Sequence, residues 1–226
     1  MGDPQPAVAY PAATVVLLRE TAHGCEVLLV RRNAQLSFHG GAWVFPGGRL
    51  DAADNAAGGG DTLAAARCAA VREAREEAGL VLHPDGLVLV SRWITPIPLP
   101  KRFDTWFFAG LGSDAPIEID GGEIHDHRWL APDLALAAQR AGEIELPPPT
   151  FVTITCLARY GCATDALSAF ARGPVETFEP RLHPIEGGAV TLYAGDVGYA
   201  DGELERPGPR HRLVMREDGW AYVRSE

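Results

Sequence analysis

Residues 72–80 read Arg72-Glu73-Ala74-Arg75-Glu76-Glu77-Ala78-Gly79-Leu80, a run of helix formers that ends on a glycine. In a helix Glu73, Glu76 and Glu77 stand at i, i+3 and i+4, which gathers three carboxylates on one face. Like charges at that spacing destabilise a helix. Such a face is therefore either a solvated surface or one whose repulsion is offset by a bound hard cation, and an all-oxygen donor set suits Mg²⁺ or Mn²⁺. Ala66, Ala70 and Ala74 form a neighbouring stripe of small residues that lets the helix lie close to a sheet. Gly79 falls where a C-terminal cap belongs.

The residues upstream favour the cation. Phe45-Pro46-Gly47-Gly48-Arg49-Leu50-Asp51 precedes the helix, and Gly47-Gly48 predicts a sharp, closely approaching backbone turn after a short apolar strand. Strand, glycine turn and carboxylate helix together resemble the Nudix hydrolases, whose box reads G-x5-E-x7-R-E-U-x-E-E-x-G-U with U a bulky aliphatic residue. Arg72, Glu73, Glu76, Glu77, Gly79 and Leu80 match that pattern. The resemblance implies an α/β fold, the Nudix α/β/α sandwich around a mixed β-sheet, and metal-dependent hydrolysis of a diphosphate linkage with Mg²⁺ or Mn²⁺. It makes Glu73, Glu76 and Glu77 the metal ligands, leaves the catalytic base among the box glutamates, chiefly Glu73 and Glu76, and Glu123, and gives Arg72 and Gly79 structural roles, with Arg72 paired to Glu76. Gly48 precedes Arg72 by 24 residues where the pattern has 14, so a ten-residue insertion is expected to loop out over about 52–60. Counting back eight from Arg72 gives Ala64 where the pattern has its first glutamate, and Ala74 stands at the first U position. Asp61 is expected to cap the helix.

A second signature lies ahead of the box. Leu28-Leu29, Arg32, Asn33, His39, Gly41, Trp43 and Phe45-Pro46-Gly47-Gly48 resemble the coenzyme A diphosphatases of the Nudix family, with Asn33 in place of a serine and Ser37 in place of an arginine. The stretch from Ala42 to Asp54, the Trp93-x-Thr95-Pro96 run and Arg102-Phe103-Asp104-Thr105 are similar to the peroxisomal-type branch with a long box insertion. What this implies is a nucleotide substrate, coenzyme A or an acyl-coenzyme A, cut to 3′,5′-ADP and (acyl-)phosphopantetheine. NADH or ADP-ribose hydrolysis, and a weakly catalytic binding module of the same fold, remain as alternatives. The candidate substrate contacts are Arg31, Arg32, His39, Gly47, Gly48, Lys101 and Arg102. Lys101 and Arg102 end a connection stiffened by Pro96, Pro98 and Pro100, which presents cations with little ordering cost. Glu123 lies six positions before Trp129, where an acidic residue comes over the metal in many members of the family.

Composition narrows the rest. A net charge of −10 argues against sequence-independent nucleic-acid binding, which needs a basic surface. Cys25, Cys68, Cys156 and Cys162 contain no C-x2-C pair, so zinc is not expected and the thiols read as reduced, as in a cytoplasmic protein. Met1 to Pro6 lack a basic segment followed by an apolar run, and no stretch approaches eighteen apolar residues, so neither a signal peptide nor a membrane span is expected.

Apolar runs predict strands at 14–19, 26–32, 43–45, 87–93 and 102–109, residues 120–130 read as a loop entering a strand, and helices are predicted at 61–78 and 132–140. Leu146-Pro147-Pro148-Pro149 marks a boundary, dividing a hydrolase domain over 1–146 from an α+β extension over 147–226. The extension is expected to hold helices at 150–160 and 164–172, each capped by a threonine, strands at 189–194 and 212–216, and a hairpin through Asp218-Gly219. At eighty residues it is expected to pack on the core, as a lid or as a homodimer surface.

Overall fold

The computed structural model describes residues 7–36, 39–97, 99–113 and 115–225. Met1 to Pro6, Ser37 of the second signature and Pro98 of the stiff connection lie outside the described residues. The chain divides into two units, one of residues 11–92 and 105–176, the other of residues 7–10, 93–104 and 177–225.

In the first unit β1 (Ala9–Thr21) and β2 (Gly24–Arg32) form an antiparallel hairpin with Leu18 opposite Val27 and Glu20 opposite Cys25. Around it the strands run in the order β3-β2-β1-β6-β5, with β3 at Trp43–Val44, β5 at Val88–Ile94 and β6 at Arg102–Leu111. β4 (Gly47–Arg49) pairs with β1, and β7 (Ile124–Leu130) pairs with β2. Gly47-Gly48 is thus a strand against β1, with Thr14 opposite Gly47, rather than the free turn its glycines suggest. The added Cβ of an alanine at 47 would stand 2.5 Å from the Ala13 carbonyl oxygen, so glycine is needed for strand contact.

The insertion does not simply loop out. Its first part is a helix, α1 (Ala52–Ala57), whose N-cap Asp51 and N3 residue Asp54 bond reciprocally in a capping box. After a turn comes α2 (Thr62–Ala78), capped by Asp61 on the amides of Leu63 and Ala64 and closed by Gly79 at φ 68°. The small-residue stripe does what its spacing implies. Ala66, Ala70, Ala74 and Ala78 are fully buried against Val15, Leu17, Leu28 and Phe108, which brings the helix axis close to the sheet and burial worth about 25 cal/mol per Å² of apolar surface.

Helices α3 (Pro132–Arg140), α4 (Pro148–Leu157) and α5 (Ala163–Arg172) complete this unit. α4 starts at a proline rather than on a Thr150 cap, and Thr150 is buried inside it. α5 is capped by Cys162, whose sulfur accepts the Asp165 amide. Threonine at either position would be a plausible cap by composition, but chain direction at Pro147 and Cys162 sets the starts.

The second unit carries β9 (Arg181–Ile185), β10 (Gly188–Leu192), β11 (Arg210–Arg216) and β12 (Gly219–Ser225) in the order β12-β11-β10-β9, all antiparallel. Phe178, in the short β8 (Glu176–Phe178), stacks on Trp93 at 3.9 Å between ring centroids, and both lie edge-on to buried Tyr193. The loop between β10 and β11 is tied down by Asp196, which accepts both Nε and Nη2 of Arg212 at 2.7 Å and the amides of His211 and Gly198. Among the described residues no helix is long and apolar enough to cross a membrane.

Candidate active site

The carboxylate helix presents its three glutamates unequally. Glu77 is 5% exposed and accepts the Gly47 amide at 2.8 Å, so the helix is joined to the glycine strand through this side chain. Glu73 lies beside it, one turn back. The Cβ of an alanine at 48 would fall 2.3 Å from Glu73 Oε1, which means that glycine lets the backbone of β4 rest directly on that carboxylate. Glu76 points outward, its side chain half exposed.

Arg72 organises this face. Its guanidinium donates to Glu73 Oε1 and Glu76 Oε2 at 2.8 Å, to the Arg49 carbonyl at 2.9 Å and to Asp54 Oδ2 at 2.8 Å. The expected Arg72–Glu76 pair is present, but the most buried partner is Asp54, 4% exposed, from α1. Counting back from Arg72 placed an alanine, Ala64, at the first acidic position of the box. Counting forward six from Gly48 lands on Asp54, so the acidic position is filled and the extra residues follow it. That forward count was the available sequence signal. It is decided by α1, which carries Asp54 back to Arg72 across eighteen residues of chain.

Burial raises the proton affinity of both inner carboxylates. For Glu77 burial is the main cause, the Gly47 amide opposes it, and Glu73 and Glu123 add to it, so that the group sits at about 8. Burial likewise raises Glu73, against Arg72, with Glu76 and Glu123 adding to the effect. Glu123 stands on a turn whose amides, its own and that of Ile124, are held by Asp120 at 2.9 Å, and its carboxylate is 3.8 Å from Arg32 Nη2. The Nε of Arg32 is buried with no hydrogen-bond partner. His39 has left-handed backbone at φ 52°, and burial depresses its imidazole, with Glu145 opposing and Arg32 adding to the fall.

Glu73, Glu76, Glu77, Arg72, Gly47 and Gly48 thus form one constellation in direct contact, with Arg32 and Glu123 as a pair whose charges are felt by Glu77. Arg31 is set apart. It is exposed and its Nε meets the Gly41 carbonyl. Lys101 and Arg102 belong to the second unit, where Lys101 is exposed over the Phe103 ring and the Arg102 guanidinium is engaged by the carbonyls of Thr95 and Ala7.

The family model for the NUDIX domain matches residues 9–148, well over half of the chain. The chain belongs to the NUDIX domain family. A NUDIX hydrolase of Alicyclobacillus acidocaldarius is similar in structure, with a TM-score of 0.67 at 26% identity over 74% of this chain and 99% of that one. Among curated proteins, "Putative nudix hydrolase 7" of Caenorhabditis elegans is 28% identical over 184 residues, 66% of this chain and 60% of that protein. The human acyl-coenzyme A diphosphatase NUDT19 is 32% identical over 118 residues, 49% of this chain. The match spans only 31% of the human protein's length.

Nudix domains are generally associated with divalent ions. Among the described residues no three His, Cys, Asp or Glu side chains are gathered tightly enough to enclose one. The donor chemistry nevertheless fits. Glu77 is buried and Glu73 half-buried beside it, Glu73 raises the proton affinity of Glu77, and beyond the Gly47 amide their compensation comes from Arg72 and Arg32, a hard-oxygen set short of positive charge.

Proposed function

We propose that this Nudix domain hydrolyses the diphosphate linkage of a nucleotide derivative, with coenzyme A or an acyl-coenzyme A as the substrate class. The observation that carries the reading is the Arg72-centred cluster, in which Asp54, Arg49 and Glu76 hold the guanidinium against Glu73 while Glu77 is fixed on Gly47. Such over-determined placement of buried anions is what a site needs to position reacting groups within a fraction of an ångström. The coenzyme A choice is supported by the second signature around His39 to Gly48 and by the name of the human relative.

Glu73 and Glu77, with Glu76 at the rim, would hold Mg²⁺ or Mn²⁺, and the ion would supply charge neutralisation of the diphosphate and a more acidic water. Arg72 favours the ionised form of Glu73, against the burial that raises it, and orients it through a charge-assisted bond. The Gly47 amide holds Glu77 in one rotamer. The base that takes a proton from the attacking water would be a box glutamate or Glu123, and the exposure of Glu123 on its Asp120-braced turn beside Arg32 supports the latter.

The test is a screen of coenzyme A, acyl-coenzyme A, NADH and ADP-ribose with Mg²⁺ and with Mn²⁺. A cation reading the 3′-phosphate contributes roughly 1.5–3 kcal/mol, so coenzyme A should exceed dephospho-coenzyme A in kcat/KM by about ten- to a hundredfold. Arg31 and Lys101, both exposed, are the first alanine variants to compare. Equal kcat/KM for the two substrates would transfer the assignment to NADH or ADP-ribose.

A further inference from the structure

We propose that Cys25 and Cys162 form a thiol–disulfide modification site, in which the tip of the β1–β2 hairpin is joined covalently to the start of α5.

The register of the hairpin sets the geometry. Cys25 lies directly opposite Glu20, so the two side chains share one face of the ribbon. Glu20 reaches across to the first turn of α5, where its carboxylate accepts the Thr164 amide at 3.2 Å. Cys25 on the same face therefore looks toward the residues just before Thr164. The backbones meet there as well, since a Cβ added to Gly24 would stand 3.3 Å from the Gly161 carbonyl oxygen. Gly24 and Gly161 immediately precede the two cysteines. The Cys162 sulfur is held at the helix start by the Asp165 amide at 3.4 Å. Both thiols are free.

The two sulfurs differ in role. Cys25 is 7% exposed, and burial first, then the charges of Glu20, Cys162 and Glu26, pushes its thiol up to about 11. It is a poor first nucleophile. Cys162 is half-buried and so the more accessible of the two, while a groove of about 260 Å³ that ends at Gly161, the residue before it, runs on the Cys25 side between His23, Asp133 and Tyr160. The oxidant class is a low-molecular-weight disulfide, R–S–S–R. The Cys162 thiolate attacks one of its sulfurs, breaking the S–S bond and releasing one thiolate, which takes up a proton to leave as R–SH. Cys25 then gives up its proton to solvent and its sulfur attacks Cys162 Sγ, displacing the second R–S⁻, which leaves as R–SH. Two protein thiols are oxidised, one disulfide is reduced and two small thiols are produced.

The experiment treats the full chain with glutathione disulfide, alkylates it under denaturing conditions and maps the peptides. A Cys25–Cys162 cross-linked peptide is expected, with Cys68 and Cys156 alkylated. Closing so long a loop should raise Tm, by about 5 °C or more, and dithiothreitol should reverse the rise. In C25A the glutathione adduct should accumulate on Cys162, because the resolving thiol is gone. In C162S neither cross-link nor adduct on Cys25 should form, so a folding defect in one variant leaves the other as the test. A cross-link between other cysteines, a persistent adduct on Cys162 in the wild-type chain, or an unchanged Tm after complete cross-linking would each overturn the proposal.

Discussion

Gly47 and Gly48 are chemically identical neighbours, and the structure predicts opposite consequences for replacing them by alanine. At 48 the new Cβ meets Glu73 Oε1 at 2.3 Å and its carboxyl carbon at 2.6 Å, both at the end of a flexible side chain. An ordinary contact needs about 3.4 Å, so the carboxylate must retreat by about 1 Å, and a 1 Å misplacement of a reacting group can cost about a hundredfold in rate. The retreat also stretches the 2.8 Å bond from Arg72, at a stability cost of about 1–2 kcal/mol. At 47 the Cβ meets Thr14 Oγ1 at 2.3 Å, the Ala13 carbonyl oxygen at 2.5 Å and Thr14 Cα at 2.8 Å. Backbone of β1 cannot swing away, so the strand pair must open, at a cost of about 1–3 kcal/mol or more. G48A should therefore keep its fold, with Tm within a few degrees of the parent, and lose most of kcat/KM. G47A should show the larger fall in Tm. Steady-state kinetics and differential scanning calorimetry on the two variants make the comparison. Near-parental kcat/KM in G48A, or a Tm loss larger in G48A than in G47A, would refute the placement of Glu73 against β4.

Two further outcomes follow from buried charge. D54N should lower kcat by about tenfold with a smaller change in KM, and should cost about 3 kcal/mol, because Arg72 loses its most buried partner while Glu73 and Glu76 still hold it. In Asp196, burial is outweighed by Arg212 and the amides of His211 and Gly198, which hold the carboxyl at about 2 against an ordinary 3.8. Its folded-state value is depressed, so its contribution of about 2 kcal/mol is present above about pH 4 and lost as pH falls through 2. Thermal melts from pH 6 to pH 2 should show this loss, and D196N should be less stable at pH 6 and show a flatter acid limb.

Much of the site was readable because it is local. The i, i+3, i+4 spacing of Glu73, Glu76 and Glu77, the alanine stripe and the Gly79 cap are properties of one helix, and helical geometry converts spacing into direction without reference to the rest of the chain. The strands were legible for the same reason, since Thr14–Arg19 and Glu26–Arg32 carry their burial in their own apolar runs. The α5 cap is a smaller case of the opposite kind: Thr164 suits a cap by composition, yet its amide is taken by Glu20 and the capping falls to Cys162.

What the sequence by itself determined, then, is a capped amphipathic helix bearing three carboxylates behind a glycine pair, in a chain of mixed α and β elements. The tertiary structure decided how those groups are used. Helical spacing makes the three glutamates equivalent, whereas docking on the sheet buries Glu77, half-buries Glu73 and leaves Glu76 at the rim. Gly47-Gly48 became a strand because β1 offers a paired edge at Ala12 to Thr14, a partner more than thirty residues away. Asp54 reached Arg72 only because α1 folds back, and Arg102 was drawn to carbonyls at Thr95 and Ala7. Each of these outcomes depends on which distant group arrives to satisfy a charge or an amide, and that is set by the packing of whole elements rather than by any local period.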